Sequence, residues 1–424
     1  MKVIGRLILI GASIALLGSL ATNWAEEEIY GSYRNPLWAD KSGYYIYLPF
    51  AFDYKFDVSA MPEELEARTG NGFTIENGKL ITKYPVGVAY MELPFYITAF
   101  ISNRINHFPE NAYQGEYVRF MVLAPAVYTT LGLFLLFLSL RLLHIKAGIA
   151  FGLSVFTLIG TSLFYYSIIE GLMSHAFSFF LFAAFTYLWI KLLKGAITTA
   201  HLIFTSLIIA LVLAVRPFNA VLLVVYALAL LQVVRGSWGM FVEVVLRLIP
   251  WAILIILVVF IPQLVYYNYA FGSFFVDAYS GETFDFAHPK IINMLLSPNA
   301  GLFVYVPALG LLFLASIYKA IQEHGRFSAI GIFLFLMVYV LASWHSWSYG
   351  CGFGIRPFVE WLPLLIIPVA WLLNKARPWV YLPTLALIVL VSWYNISMTF
   401  KWTGCWFGKE DTFAEFMRIF WPNI

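Results

Sequence analysis

Apolar stretches of about 20 residues, the length that carries a helix across a bilayer, alternate with short polar turns along nearly the whole chain. They run near Val3–Asn23, Phe120–Leu140, Ala147–Tyr165, His175–Leu193, Ala196–Val215, Phe218–Val234, Leu248–Tyr266, Gly301–Ile317, Phe327–Ala342, Phe358–Leu373 and Trp379–Ile396. Runs of this length between short basic turns read as helices of one bundle rather than as separate soluble domains. The pattern therefore predicts an all-α polytopic membrane bundle of about eleven transmembrane helices, with residues 1–424 forming a single domain.

The spacing of Lys and Arg gives these spans an orientation, because basic side chains collect at cytoplasmic ends. Every second connection carries a pair: Lys2 and Arg6, Arg141 and Lys146, Lys191 and Lys194, Arg235 and Arg247, Lys319 and Arg326, Lys375 and Arg377. Those connections are expected inside. The alternate ones, Ala25–Arg119, Tyr166–Ser174, the tight turn at Arg216, Asn268–Ala300, Trp344–Pro357 and the tail after Ser397, are expected outside.

The first outer segment, 25–119, holds 13 of the chain's 23 acidic residues. Its apolar part, Tyr84–Ile101, contains Glu92, Pro85 and Pro94 and so reads as an interfacial, half-buried helix instead of a span. Counting it as a span would invert every later connection and break the alternation of charge. The N-terminal run, with Lys2, Arg6 and a small-residue patch near Ala21, also fits a signal peptide; cleavage there leaves the later topology unchanged.

Composition agrees with the pattern. The chain is 61% hydrophobic and 12% charged, against about 45–50% and about 25% in an ordinary soluble domain. A net charge of +3 does not suggest nucleic acid as a partner. Two cysteines, Cys351 and Cys405, permit one disulfide and define no metal cluster.

With this topology the unusual polar residues gather on one side: Asp40, Lys83, Glu170, His175, Arg216, His345, Arg356 and Glu360 all lie in, or at the mouth of, outward connections. Each has a plainer reading. Asp40 serves equally as a solvated or capping charge, Lys83 as a snorkelling anchor, and His175 as a satisfied helix-end histidine. Arg216 resists that treatment, since AVRPFNAV leaves it between two spans with almost no loop, where a cation needs a partner such as Glu170. Arg356 follows Gly350, Gly352 and Gly354, which let backbone approach a ligand or another helix, and Trp344, Trp347 and Tyr349 offer flat faces beside it. A carboxylate that takes a proton from an acceptor, beside cations that hold a phosphate, suits transfer from a lipid phosphate. His/Cys metal clusters, serine nucleophile motifs and nucleotide loops are missing from the sequence, so no cofactor is expected, and a divalent metal is neither implied nor excluded.

The stretches ADKSGYYIYLP (Ala39–Pro49) and TKYPVG, and more loosely VRPFNA and YGCGFGIRPFVEWLPLL, resemble the GT-C superfamily of integral membrane glycosyltransferases, in the branch of protein O-mannosyltransferases and lipid A aminoarabinose transferases. The resemblance implies a GT-C-like bundle and a polyprenyl-phosphate sugar donor taken from the membrane lipid phase. Asp40 would be the general base, and Lys83, Arg216 and Arg356 would hold the donor phosphate. Tyr44, Tyr45, Glu170, His175, His345 and Glu360 complete the expected substrate site. Two departures bear on the substrate: Asp40 is followed by Lys41 rather than a second acid, and Lys83 by Tyr84 and Pro85 rather than paired prolines. The acceptor is a protein, lipid or glycan, and the expected location is the cytoplasmic (inner) membrane with the site facing the exterior. A transporter or flippase of a lipid-linked or anionic solute is the competing reading, and a structural subunit of an envelope assembly a third. Polar groups confined to one face favour the enzyme, because alternating access needs them near the midplane.

Overall fold

The computed structural model describes residues 2–24, 35–107, 112–279, 281–350, 352–402 and 412–421, with backbone only for 2–9 and 24. Cys351 and Cys405, and the side chains of Lys2 and Arg6, lie outside the described residues.

The described chain is nearly all helix. Six helices are long and apolar enough to cross a membrane: Gly115–Leu142, Ser174–Leu193, Trp238–Phe271, His324–Ala342, Arg356–Lys375 and Pro378–Lys401. Five further apolar helices are shorter: Ile10–Asn23 within the first helix, Ala147–Ile159, Thr199–Val215, Asn219–Val234 and Pro307–Gln322. Local chemistry explains where helices stop short of their apolar runs. The Ala147–Tyr165 run breaks at Gly160, the C-cap of Ala147–Ile159, and resumes as Leu163–Ile168. The Gly301–Ile317 run breaks at Val306, after which Pro307 opens a new helix at a position where its missing N–H costs nothing. The opposite happens at Trp238, where the Ser237 hydroxyl caps the Met240 amide and starts the 34-residue helix Trp238–Phe271 well ahead of Leu248.

Ser174–Leu193 is the buried centre of the bundle, packed by Gly115–Leu142, Thr199–Val215, Asn219–Val234 and the 3-10 helix Arg356–Trp361. Trp238–Phe271 and Pro378–Lys401 lie outermost, with most of their apolar surface exposed, Leu254, Leu257 and Leu390 among it.

The segment 35–107 folds as a cap of small elements on one end of this bundle. Two short helices, Asp40–Tyr45 and Tyr47–Phe52, are followed by the 3-10 turn Val58–Ala60 and the single helical turn Leu65–Arg68. An antiparallel hairpin then pairs Thr74–Glu76 with Lys79–Ile81, Glu76 opposite Lys79. Its two-residue turn is Asn77–Gly78, at φ 51° and 72°, the left-handed pair that matches strand twist and that Asn-Gly adopts most easily. The helix Gly87–Asn106 closes the segment. It packs on Gly115–Leu142 and Thr199–Val215 and exposes the apolar side chains of Ile97, Ile101 and Ile105 on its other side.

Candidate functional site

Asp40 opens the Asp40–Tyr45 helix, and the residue before it sets its direction. Ala39 sits at φ 54°, ψ −125°, a conformation alanine rarely adopts. It is held there because its amide donates to the Thr69 carbonyl at 2.8 Å, while the Ser42 hydroxyl ties the Ala39 and Thr69 carbonyls together at 2.9 and 3.1 Å. The Asp40 carboxylate is thereby presented at the cap–bundle boundary with 32% of its side chain exposed.

Both oxygens of that carboxylate are engaged. The Tyr84 hydroxyl donates to Oδ1 at 2.6 Å, and Arg356 reaches Oδ2 at 3.1 Å. Burial by itself would raise the Asp40 pKa, but Arg356, the Tyr84 hydroxyl and, more weakly, Lys83 together outweigh it and hold the acid below the ordinary carboxylate value. The Tyr44 ring lies against Tyr84 at 4.6 Å. Tyr44 also lies within the field of Asp40, Arg216 and Arg356, so residues of both charge clusters act on it.

The second cluster centres on Glu360, which is fully buried. One of its oxygens takes Arg216 and the ring of His175, the latter at 3.2 Å, and the other accepts from the Asn219 amide at 2.7 Å. Pro217 accounts for this placement. The residue before a proline is pushed out of the helical region, so Arg216 ends Thr199–Val215 in extended geometry at φ −150° and Asn219 can begin the next helix beside it. On the facing strand of chain, Gly354 at φ 60° and the close approach of Gly352 to the Tyr166 hydroxyl turn the backbone into the Arg356–Trp361 helix. One helical turn then carries Arg356 to Asp40 and Glu360 to Arg216. Every residue in the two clusters comes from a helix terminus or a loop at the same end of the bundle.

The remaining expected residues are distributed unevenly. Lys83 stands at the edge of the site, bound to Glu282 at 2.5 Å and lying over the rings of Tyr84 and Tyr279. Glu170 pairs with Lys41 at 2.9 Å, so the expectation that it balances Arg216 is corrected: Glu360 does. Tyr45 faces away from Asp40, its hydroxyl donating to the Ala112 carbonyl at 2.5 Å and its ring packed on Tyr96 and Tyr113. His345 is exposed, ties its amide to the Thr283 carbonyl at 3.0 Å and packs at a tilt against Trp344; among the described residues it makes no hydrogen bond or ion pair with either cluster. Tyr84, Asn219, Lys41 and Glu282 belong to the site without having been singled out from sequence. Two of them, Tyr84 in TKYPVG and Asn219 in VRPFNA, were within motifs already marked. Among the described residues no group of three or more His, Cys, Asp and Glu side chains is arranged to hold a metal ion.

No protein family, curated protein or solved structure matches this chain.

Proposed function

We propose that this chain is a membrane glycosyltransferase of GT-C type, moving a sugar from a polyprenyl-phosphate donor to an acceptor at the outer face of the cytoplasmic membrane. The observation that carries the reading is the contact set of Asp40: an ionised carboxylate with a tyrosine hydroxyl on one oxygen and an arginine on the other, beside Tyr44, which feels a second arginine, Arg216. The reading takes eleven crossings; six helices have the length and apolarity for one, and it assigns the rest to the five shorter apolar helices.

In the transfer, the acceptor O–H or N–H gives its proton to Asp40 while its lone pair attacks the anomeric carbon. The bond from that carbon to the phosphate oxygen breaks, and its electron pair leaves with the polyprenyl phosphate. A single displacement inverts the anomeric centre. Arg356 and Lys83 meet the charge that develops on the leaving phosphate, with Arg216 adding its field. Before the donor arrives, Arg356 is satisfied by Asp40 and Lys83 by Glu282. Donor binding then exchanges one anionic partner for another, and freeing Asp40 from Arg356 leaves it with a vacant lone pair for the acceptor proton.

A general base contributes about 10²–10⁴-fold to rate, so Asp40→Asn in lipid nanodiscs should lose that much transfer from polyprenyl-phosphate sugars while keeping its melting temperature. A full rate in Asp40→Asn sinks the assignment. The buried Arg216–Glu360–His175 network favours one alternative, a carrier in which it acts as a gate. A carrier passes its solute through sealed vesicles chemically unchanged, so product analysis separates the two.

A further inference from the structure

A cavity of about 820 Å³ opens at the other end of the bundle, bounded by Gln232, Arg235 and Trp238 on one side and by Gln322, Glu323 and Arg326 on the other. The helix Asn219–Val234 links it to the Asp40 end: Asn219 holds Glu360, and Gln232 lines the cavity thirteen residues later, about 20 Å away at about 1.5 Å per residue.

The charges in and behind its wall do not balance. Arg235 and Arg326 both line it, each within the other's field. Glu323 is the acidic residue of the lining, and Lys319 at 2.5 Å and Lys375 at 3.2 Å already occupy one of its oxygens. Four cations therefore face one carboxylate. Among the described residues neither Arg235 nor Arg326 has an ion-pair partner, and the Arg326 Nε is sealed from solvent without a hydrogen bond. Arg326 is nevertheless fixed, its guanidinium lying 4.2 Å from the centre of the Trp371 ring. Two like charges facing one cavity repel unless an anion joins them, and Glu323 alone of the acids acts on Arg326 from within the lining. The first turn of His324–Ala342 opens into the same space, adding the positive end of a helix dipole.

We propose that this cavity binds the phosphate of an anionic phospholipid, separately from the Asp40 site. Its apolar wall favours a lipid over a free anion: Leu228 and Leu231 line it, and Trp238, 65% exposed, stands at its rim as tryptophans do at headgroup level. Basic pockets between spans at the cytoplasmic side take anionic headgroups in this way.

The test uses the full chain, delipidated in neutral detergent, with phosphatidylglycerol, phosphatidylcholine or inorganic phosphate added back and the melting temperature and bound lipid measured. Phosphatidylglycerol should protect and be retained, and phosphatidylcholine should do so far less. Arg235→Gln, at an exposed helix C-cap, should leave the melting temperature of the lipid-free protein unchanged and weaken phosphatidylglycerol binding about tenfold, the effect of losing one charge-assisted contact. Arg235→Lys should restore much of it. Equal binding of both lipids, or no change in Arg235→Gln, overturns the proposal. Protection by inorganic phosphate equal to that of the lipid overturns the lipid assignment.

Discussion

At Asp40 the balance of burial against Arg356 and Tyr84 fixes both charge state and usefulness as a base. Because its pKa is lowered, the carboxylate is ionised throughout the physiological range. Its proton-accepting capacity, and the stability from its ion pair, are present above the ordinary value near about 3.9 and lost only as pH falls through the lowered one. Transfer should therefore show no acid limb from Asp40 between about pH 5 and 8. Arg356→Gln removes the largest lowering influence and should bring that limb upward; an acid limb near pH 6 in the wild type that vanishes in Asp40→Asn would contradict the assignment. Glu360 is the complementary case, a buried carboxylate whose loss strands Arg216. Glu360→Ala should cost about 3–5 kcal/mol, read by unfolding in detergent. Asp57→Asn should be silent in transfer, since that side chain only caps Ser59 at the surface. Asp53→Asn should act on stability alone, because Asp53 receives the hydroxyls of Tyr96 and Tyr117 away from the site. Sequence marked Asp40, Tyr44, His175, Arg216, Arg356 and Glu360 individually, yet not their pairing. Arg216 and Glu360 are 144 positions apart, and nothing in either neighbourhood announces the other.

At the scale of elements, hydropathy located each apolar helix because apolar length is a property of the run itself. The interruptions were less legible. Val306–Pro307 and Gly160 divide runs whose composition is uniformly apolar, and only helix-terminus chemistry distinguishes them. The hairpin was missed for the same reason, since it depends on Asn77–Gly78 rather than on hydrophobic content. Gly87 shows how such local chemistry reaches the site. A Cβ there would lie 2.2 Å from the Ala214 carbonyl carbon, so the Gly87–Asn106 helix touches the backbone that ends just before Arg216. Gly87→Ala should cost about 1–3 kcal/mol through overpacking and weaken donor use by moving that helix end. Gly148, with open space around its Cβ position, is the control: Gly148→Ala should be neutral or gain up to about 1 kcal/mol from helix propensity. Equal behaviour of the two variants would mean that the 87–106 helix is free to shift without disturbing Arg216.

At the scale of the whole molecule, the two ends of the bundle are chemically unlike. One carries the capping segment with Asp40, Arg216, Arg356 and Glu360 held in compensated pairs, and the other carries the cation-rich cavity of Arg235 and Arg326. Between them the outermost helices Trp238–Phe271 and Pro378–Lys401 present apolar surface of the length and composition that suits a bilayer core. A membrane with an anionic inner leaflet would orient such a molecule with the cationic cavity inward and the capped end outward. The positions Asn77 and Gln322 report on this directly, since both are exposed and lie at opposite ends, Asn77 in the hairpin turn and Gln322 at the cavity. In a Cys351→Ser, Cys405→Ser background, Asn77→Cys should react with an impermeant maleimide in intact cells, whereas Gln322→Cys should react only after the membrane is opened. Labelling of Gln322→Cys from outside would reverse the molecule. Asp40 would then face the cytoplasm, where an acceptor on the outer surface could not reach it, and the transferase reading would have to give up its extracytoplasmic acceptor.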